Sequence, residues 1–305
     1  MAILAKTYKD RTCSGNSAVK RTLSSACNYR VFLAAILLLS GCSSLQFAYN
    51  RLDWLISYQL GHFVSWTDSQ EELLSQILEQ QLRWHRSSQL PIYASWLQNL
   101  RTSLNTDTHL TVQDLDSYEA DLRAMYSQLV HQLSPAAAKL LSTLNITQIE
   151  QFMTALEQRN REFYEERVAI SERAQRAYRV EQMLEQIERW LGEVTPRQRQ
   201  RVESWAATLE LSSAETLAFR QHWQKAFRAL LQQRQVADFQ RQLRDFALAP
   251  EALQTSALRL KRQHNLQLFK LLLRDIYGQL NSGQQQYLDN RLQTLSGDFI
   301  ELAAQ

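Results

Sequence analysis

The chain has 305 residues, with 34 Lys and Arg against 31 Asp and Glu, a formal net charge of +3. Six of the basic residues, Lys6, Lys9, Arg11, Lys20, Arg21 and Arg30, stand in residues 1–41 beside the single acid Asp10, which leaves 28 basic and 30 acidic side chains in residues 42–305. That balance lacks the clustered basic footprint that nucleic-acid binding requires, and a body of this length is large enough to bury a core of its own.

The first segment combines those basic residues with an apolar run, Val31 to Leu39, and then small residues. Basic, apolar, small is the order of a secretory signal, and the run is far short of the roughly twenty residues a membrane-spanning helix needs. The tetrad Leu39-Ser40-Gly41-Cys42 ends on a cysteine and resembles a bacterial lipobox. The resemblance implies that residues 1–41 are a lipoprotein signal peptide that is removed. Cys42 then becomes the first mature residue, acylated on sulfur and amino group by palmitate-type chains. Multiple acyl chains give stable attachment, at roughly 0.8 kcal/mol per buried methylene. Ser43 rather than Asp follows the cysteine, which for lipoproteins implies the inner leaflet of the outer membrane, facing the periplasm. Cys42 is the only cysteine of residues 42–305, so no disulfide or thiolate metal site is expected there.

Residues 42–305 read as one all-α periplasmic domain, an elongated bundle of long antiparallel helices. Nothing alternates with period two over strand length, and no Asn-Gly or Asp-Gly hairpin signal occurs. A first helix is expected over about Leu45 to Val64. Thr67-Asp68-Ser69-Gln70 opens the second with a capping box, and Leu73, Leu74, Ile77, Leu78 and Leu82 carry its apolar stripe to Trp84. Leu90-Pro91 is expected to start a third, and Thr106 to Thr111 to be a loop. A helix over about Asp114 to Leu133 and a short one after Pro135 should follow. The four prolines, Pro91, Pro135, Pro196 and Pro250, are each expected in a first turn, where a missing N–H costs nothing. Leu156, Phe163, Ile170, Ala177, Leu184 and Leu191 recur every seven residues, which predicts one helix over about Thr147 to Leu191, narrowly apolar and largely solvated around Arg159 to Arg179. Thr195 caps the next helix. Long helices are expected over about Ser213 to Leu248 and Pro250 to Leu280, and the last is expected to start at Ser282 with Gln285. Val194-Thr195-Pro196-Arg197-Gln198 is similar to the Leu-Thr-x-x-Gln motif of small periplasmic helical chaperones; a capping box accounts for the same residues.

Trp84-His85-Arg86, with Leu90-Pro91 and Tyr93, is the densest cluster of chemically able residues. With Tyr49-Asn50-Arg51-Leu52-Asp53-Trp54-Leu55 it resembles an uncharacterised family of proteobacterial lipoproteins having a Tyr-Asn-x-Leu-Asp-Trp start and a Trp-His-Arg…Leu-Pro-x-Tyr segment. That resemblance implies a lipoprotein and brings no activity, ligand or catalytic residue. His85 is the one candidate general base, provided a carboxylate such as Asp53 or Glu72 orients it; as a helix-end residue it equally serves as a cap. The other histidines form no His-x-x-x-His pair, and phosphate loops, nucleophile elbows and calcium loops are missing. No cofactor or metal is expected. Trp54 and Trp66, near the anchor, are candidates for contact with lipid headgroups. The function expected is therefore a lipid-anchored helical interaction or scaffold protein, chaperone-like in one form, with an envelope protein or peptidoglycan as partner. Arg159, Arg173 and Arg176 are its candidate contact residues. The alternative is an envelope hydrolase built on His85.

Overall fold

Helices α1 (Ser44–Tyr49) and α2 (Leu52–Gly61) lead into α3 (Asp68–Trp84). The computed structural model describes residues 44–106 and 109–305. Among these no strand occurs, and the chain is all-α. Cys42, the lipobox residues Leu39, Ser40 and Gly41, and the apolar run before them lie outside the described residues. The remaining helices are α4 (Leu90–Thr106), α5 (Val112–Ser142), α6 (Ile146–Phe163), α7 (Glu172–Leu191), α8 (Pro196–Thr208), α9 (Ser213–Gln232), α10 (Phe239–Leu248), α11 (Ser256–Tyr277) and α12 (Ser282–Ala303).

Four of these helices begin with the same chemistry. Thr67, Asn145, Thr195 and Asn281 cap α3, α6, α8 and α12, and each forms a full capping box with the glutamine three residues on: Gln70, Gln148, Gln198 and Gln284. All four glutamines are buried, a state that a polar amide tolerates only when its hydrogen bonds are met. They meet them in pairs. Gln70 Nε2 donates to Gln148 Oε1 at 3.1 Å, and Gln148 Nε2 donates back to Gln70 Oε1 at 2.6 Å. Gln198 and Gln284 exchange the same two bonds at 3.1 and 3.0 Å. Each amide oxygen also accepts its own cap residue's N–H, at 3.0 to 3.3 Å. The amide nitrogens reach further, to the chain just before the facing cap: Gln70 to the Thr143 carbonyl, Gln148 to that of Ser65 and Gln284 to that of Glu193. Two helix starts are thus locked face to face at each of two clasps. The last helix starts one residue earlier than its sequence suggests, because Asn281 with Gln284, rather than Ser282 with Gln285, makes the box.

An apolar core gathers beside each clasp. The first joins Val64, Leu144, Ile149, Met153, Phe227, Leu231, Phe239 and Leu243. The second joins Leu184, Ile187, Leu191, Val202, Trp205, Leu272 and Ile276. Gly192 makes the turn at the second clasp. Its φ of 85° favours glycine, and a Cβ there would come within 3.0 to 3.3 Å of the Tyr287 ring.

The two halves are joined through α4 and α12. Ala94 and Ser296 are small and buried, which lets the helices approach until the Ser296 hydroxyl reaches the Ala94 carbonyl at 3.2 Å. Farther along, Arg101 grips Asp289 with Nε and Nη2 at 2.6 and 2.9 Å, and Asn105 adds a third bond. These donors hold the Asp289 carboxyl below its ordinary value. Lys270 of α11, itself buried, bridges to Asp116 and Glu119 of α5.

Several expected boundaries are corrected. α4 starts at Leu90 as expected, but it follows α3 with no loop between them. Residues 85–89 form a π turn that joins α3 to α4, with the Leu90 N–H returning to the His85 carbonyl. A widened turn relieves the clash of a proline ring with the carbonyl four residues back. Pro135 sits inside the unbroken α5, where burial of Ala138 and Leu140 outweighs its cost of about 3 kcal/mol. The expected helix over Thr147 to Leu191 is two helices. A π turn, Tyr164–Val168, ends the first, and Ser171 is extended and caps the second by accepting from the Ala174 N–H. The stripe of period seven misleads because the apolar register survives the break. The helix expected over Ser213 to Leu248 also breaks, where Arg234 and Gln235 turn aside to bind the carbonyls of Leu144 and Ser142 beside the first clasp. In the stretch expected to be one helix from Pro250, a short 3₁₀ turn precedes α11, which Thr255 caps.

Gln148→Leu should destabilise the chain by about 1–3 kcal/mol in urea unfolding, since it strands the Gln70 amide and the Asn145 N–H. Gln70→Leu should cost about as much. The double variant should cost clearly less than the sum, because each single change leaves the other amide buried without a partner. Additive costs would contradict the clasp.

Candidate functional site

The π turn carries the residues that the sequence marks as chemically able. His85 is its first residue and Arg86 its second. Ser87 Oγ donates to the carbonyls of Arg83 and Trp84, at 3.1 and 3.3 Å, and so satisfies backbone that the widened turn loosens. The turn faces α1. Tyr49 Oη lies 2.7 Å from His85 Nδ1, and Arg86 Nη2 donates to Asn50 Oδ1 at 2.7 Å. Tyr49-Asn50 therefore pairs with His85-Arg86 residue by residue. The Arg86 guanidinium also lies over the Tyr49 ring, 5.3 Å from its centroid. Tyr93, two turns on, meets His85 edge to face at 5.6 Å, and Phe299 of α12 at 6.1 Å. Beneath them Tyr49, Leu90 and Leu302 form a small buried core. Gln46 adds bonds to Asp298 and Glu301 of α12, at 3.1 and 2.6 Å. α1 is thereby gripped from two sides, by the π turn and by the end of α12.

Burial favours the neutral form of both groups. Burial lowers the His85 pKa, so the imidazole is neutral. Burial raises the Tyr49 phenol, against an opposing pull from Arg86, so the phenol keeps its hydrogen. Two neutral groups thus share one hydrogen bond, whose donor follows the tautomer of the ring. The structure brings His85 together with Arg86 and Tyr93 but gives the ring a phenol as its partner. Asp53 is exposed on α2, and Glu72 accepts a bond from Gln76. A phenol can bond the ring but cannot stabilise an imidazolium as a carboxylate does. Trp84 is half-buried, less enclosed than its place beside this cluster suggests.

The three candidate contact arginines are placed apart in their work. Arg159 lies over the Phe63 ring at 4.4 Å. Arg176 donates through Nη1 to the carbonyls of Ala206, Ala207 and Leu209, at 2.7 to 3.0 Å, and so caps the end of α8. Arg173 is exposed. Near them a groove of about 870 Å³ runs between α6 and α9, with Asn160, Arg161, Gln224 and Arg228 in its walls. Among the described residues no group of three or more His, Cys, Asp or Glu is placed to hold a metal ion. The sequence leads to the expectation that Tyr49–Leu55 and Trp84–Tyr93 pack together, and they do; it does not say which side chains bond. The available signal is that the aromatic-rich segments Tyr49–Leu55 and Trp84–Tyr93 belong to one resemblance; the helix register that makes the contact does not appear in either segment alone.

The His85 pKa is lowered from 6.5, so folding favours its neutral form. Its contribution to stability is therefore complete above about pH 6.5 and is lost as the pH falls through the lower, folded-state value. Relative to His85→Phe, the chain should lose stability as the pH falls through that window, with a steady difference above pH 7. A constant difference across pH 4–8 would contradict a buried neutral imidazole.

No curated protein and no solved structure matches the chain. A family model described as a family of unknown function, DUF6279, matches residues 62–259, which includes Trp84-His85-Arg86 and leaves Tyr49–Leu55 ahead of the match. That span is well over half of the sequence, and the chain belongs to this family.

Proposed function

We propose that this protein is a lipoprotein of the proteobacterial envelope. Acyl chains on Cys42 hold it to the inner leaflet of the outer membrane, and it works in the periplasm as a helical scaffold. The observation that carries the reading is the pairing of Tyr49-Asn50 with His85-Arg86. The segment that follows the lipobox is bonded side chain by side chain to the π turn between α3 and α4. With the anchor-proximal segment fixed to the body, the anchor also sets where the body sits, and these residues supply that attachment. The same pairing occupies His85 with a phenol, which favours the scaffold over a hydrolase. No described helix is long and apolar enough to cross a membrane.

The partner is an envelope protein or peptidoglycan. Arg173 is the exposed guanidinium for that contact, while Arg159 and Arg176 are engaged within the body, on the Phe63 ring and on the end of α8. A chaperone-like form of the role would use exposed apolar surface, and Ile146 and Leu260 are exposed singly on the body. The Leu-Thr-x-x-Gln-like segment does not add to it, because Gln198 is buried and fully bonded within the second clasp.

Cys42→Ser should abolish labelling by a palmitate analogue and move the chain from the outer-membrane fraction to the soluble fraction. Retention of both label and fractionation would refute the anchor. For the scaffold role, crosslinking of whole envelopes should trap one recurrent partner, and Arg173→Glu should reduce that adduct while the melting temperature stays unchanged.

A further inference from the structure

α2 is an apolar helix with no buried residue. Its inner side is half-covered: Ile56 and Leu60 pack on Leu74, Leu78 and Leu140, and Leu52 packs on Tyr49 and Leu90. Its outer side is not covered. Trp54 is 63 % exposed and Tyr58 52 %, and Phe47 of α1 is 72 % exposed. Trp54 and Tyr58 stack with ring centroids 5.4 Å apart and planes at 13°, and Tyr58 meets His62 edge-on at 4.7 Å. A stacked aromatic pair and a phenylalanine within two short helices form an unusual concentration of exposed apolar surface, where single exposed residues are ordinary. Arg51, also exposed, falls between Phe47 and Trp54.

What covers this face follows from where it stands in the chain. α1 begins at Ser44, so only Ser43 separates Cys42 from the first helix. Fully extended backbone spans at most about 3.6 Å per residue, which keeps Phe47 within about 18 Å of the Cys42 Cα. An acylated Cys42 sits at the membrane surface, so this face is kept within reach of the headgroup layer for as long as the protein is anchored. Trp and Tyr suit that layer, since each has an apolar body and one polar group that stays hydrated, and an arginine there meets phosphate.

The geometry points to a membrane-binding foot: Phe47, Trp54 and Tyr58 insert among the phospholipid headgroups around the lipid on Cys42, with Arg51 on phosphate, and fix the orientation of the bundle above the bilayer. This inference rests on the lipid-anchor reading. The foot differs from the anchor in acting as a second, side-chain contact. Trp66, the other tryptophan near the anchor, packs into the cores instead.

The test uses the mature acylated chain reconstituted in phosphatidylethanolamine–phosphatidylglycerol vesicles, with and without brominated-acyl phosphatidylcholine. The difference in fluorescence between the chain and Trp54→Phe isolates Trp54, and the substitution is safe for folding because the side chain is exposed. Bromolipid should quench the Trp54 signal several-fold and leave the emission of the other tryptophans unchanged. In Phe47→Ser/Tyr58→Ser, with Trp54 retained and circular dichroism unchanged, that quenching should fall by at least half. An acylated chain that carries the palmitate label and shows no quenching of Trp54 overturns the foot and leaves the anchor standing. A chain that takes no label overturns the anchor and the foot together. Protection of Trp54 from iodide in lipid-free detergent, rising with protein concentration, would assign the face to a second copy of the chain and also overturn the foot.

Discussion

Two pairs of buried glutamine amides fix where this bundle's helices begin and which of them face one another. An amide without a partner in an apolar interior costs a few kcal/mol, so burying four of them is acceptable only if the geometry is complete. Here each oxygen serves its own helix start and the facing amide, and three of the four nitrogens are also tied to the backbone turn opposite. Shifting either helix by one residue would strand both amides of a pair. Hydrophobic packing alone tolerates such shifts, because neighbouring leucines are interchangeable. The clasps therefore supply register, while the cores beside them supply most of the stabilisation.

The same division of labour holds at the anchor-proximal end. Leu90 and Leu302 bury apolar surface beneath Tyr49, but the bonds from Tyr49 and Asn50 to the π turn decide where α1 sits. The π turn is what makes this possible. By adding one residue to a helical turn, it rotates His85 and Arg86 relative to the stripe of α3 and relieves the clash at Pro91. A regular helix through Pro91 would meet that clash and would present a different face to α1. Local irregularity and the attachment of the N-terminal segment are thus one feature, and the family match covers the π turn.

Much of this was legible in the sequence, for reasons that can be stated. Thr67 and Thr195 announce their helices because a capping box is a local motif, complete within four residues. The all-α class follows from apolar periodicity. Asn145 with Gln148 is an equally local box that a Thr/Ser-x-x-Gln pattern passes over; what lies out of sight is that Gln148 faces Gln70. The boundaries that fail depend on distant residues. Pro135 reads as a helix start, since only tertiary burial keeps α5 continuous through it. The break at Ser171 hides behind an apolar stripe that continues in register on both sides. At the site, His85 and Arg86 are conspicuous, yet their partners Tyr49 and Asn50 stand 36 residues earlier and reach them only through the fold. Arg176 looks like a surface charge and proves to cap α8.

The central claim is that Tyr49-Asn50 and His85-Arg86 fasten the anchor-proximal segment to the body. Hydrogen exchange read residue by residue tests it most directly. In Asn50→Ala/Arg86→Ala, amides of Tyr49 to Leu55 should lose protection by tenfold or more, while those of α6, α8 and α11 keep theirs. Unchanged exchange in Tyr49 to Leu55, or an equal loss throughout the bundle, would contradict the account.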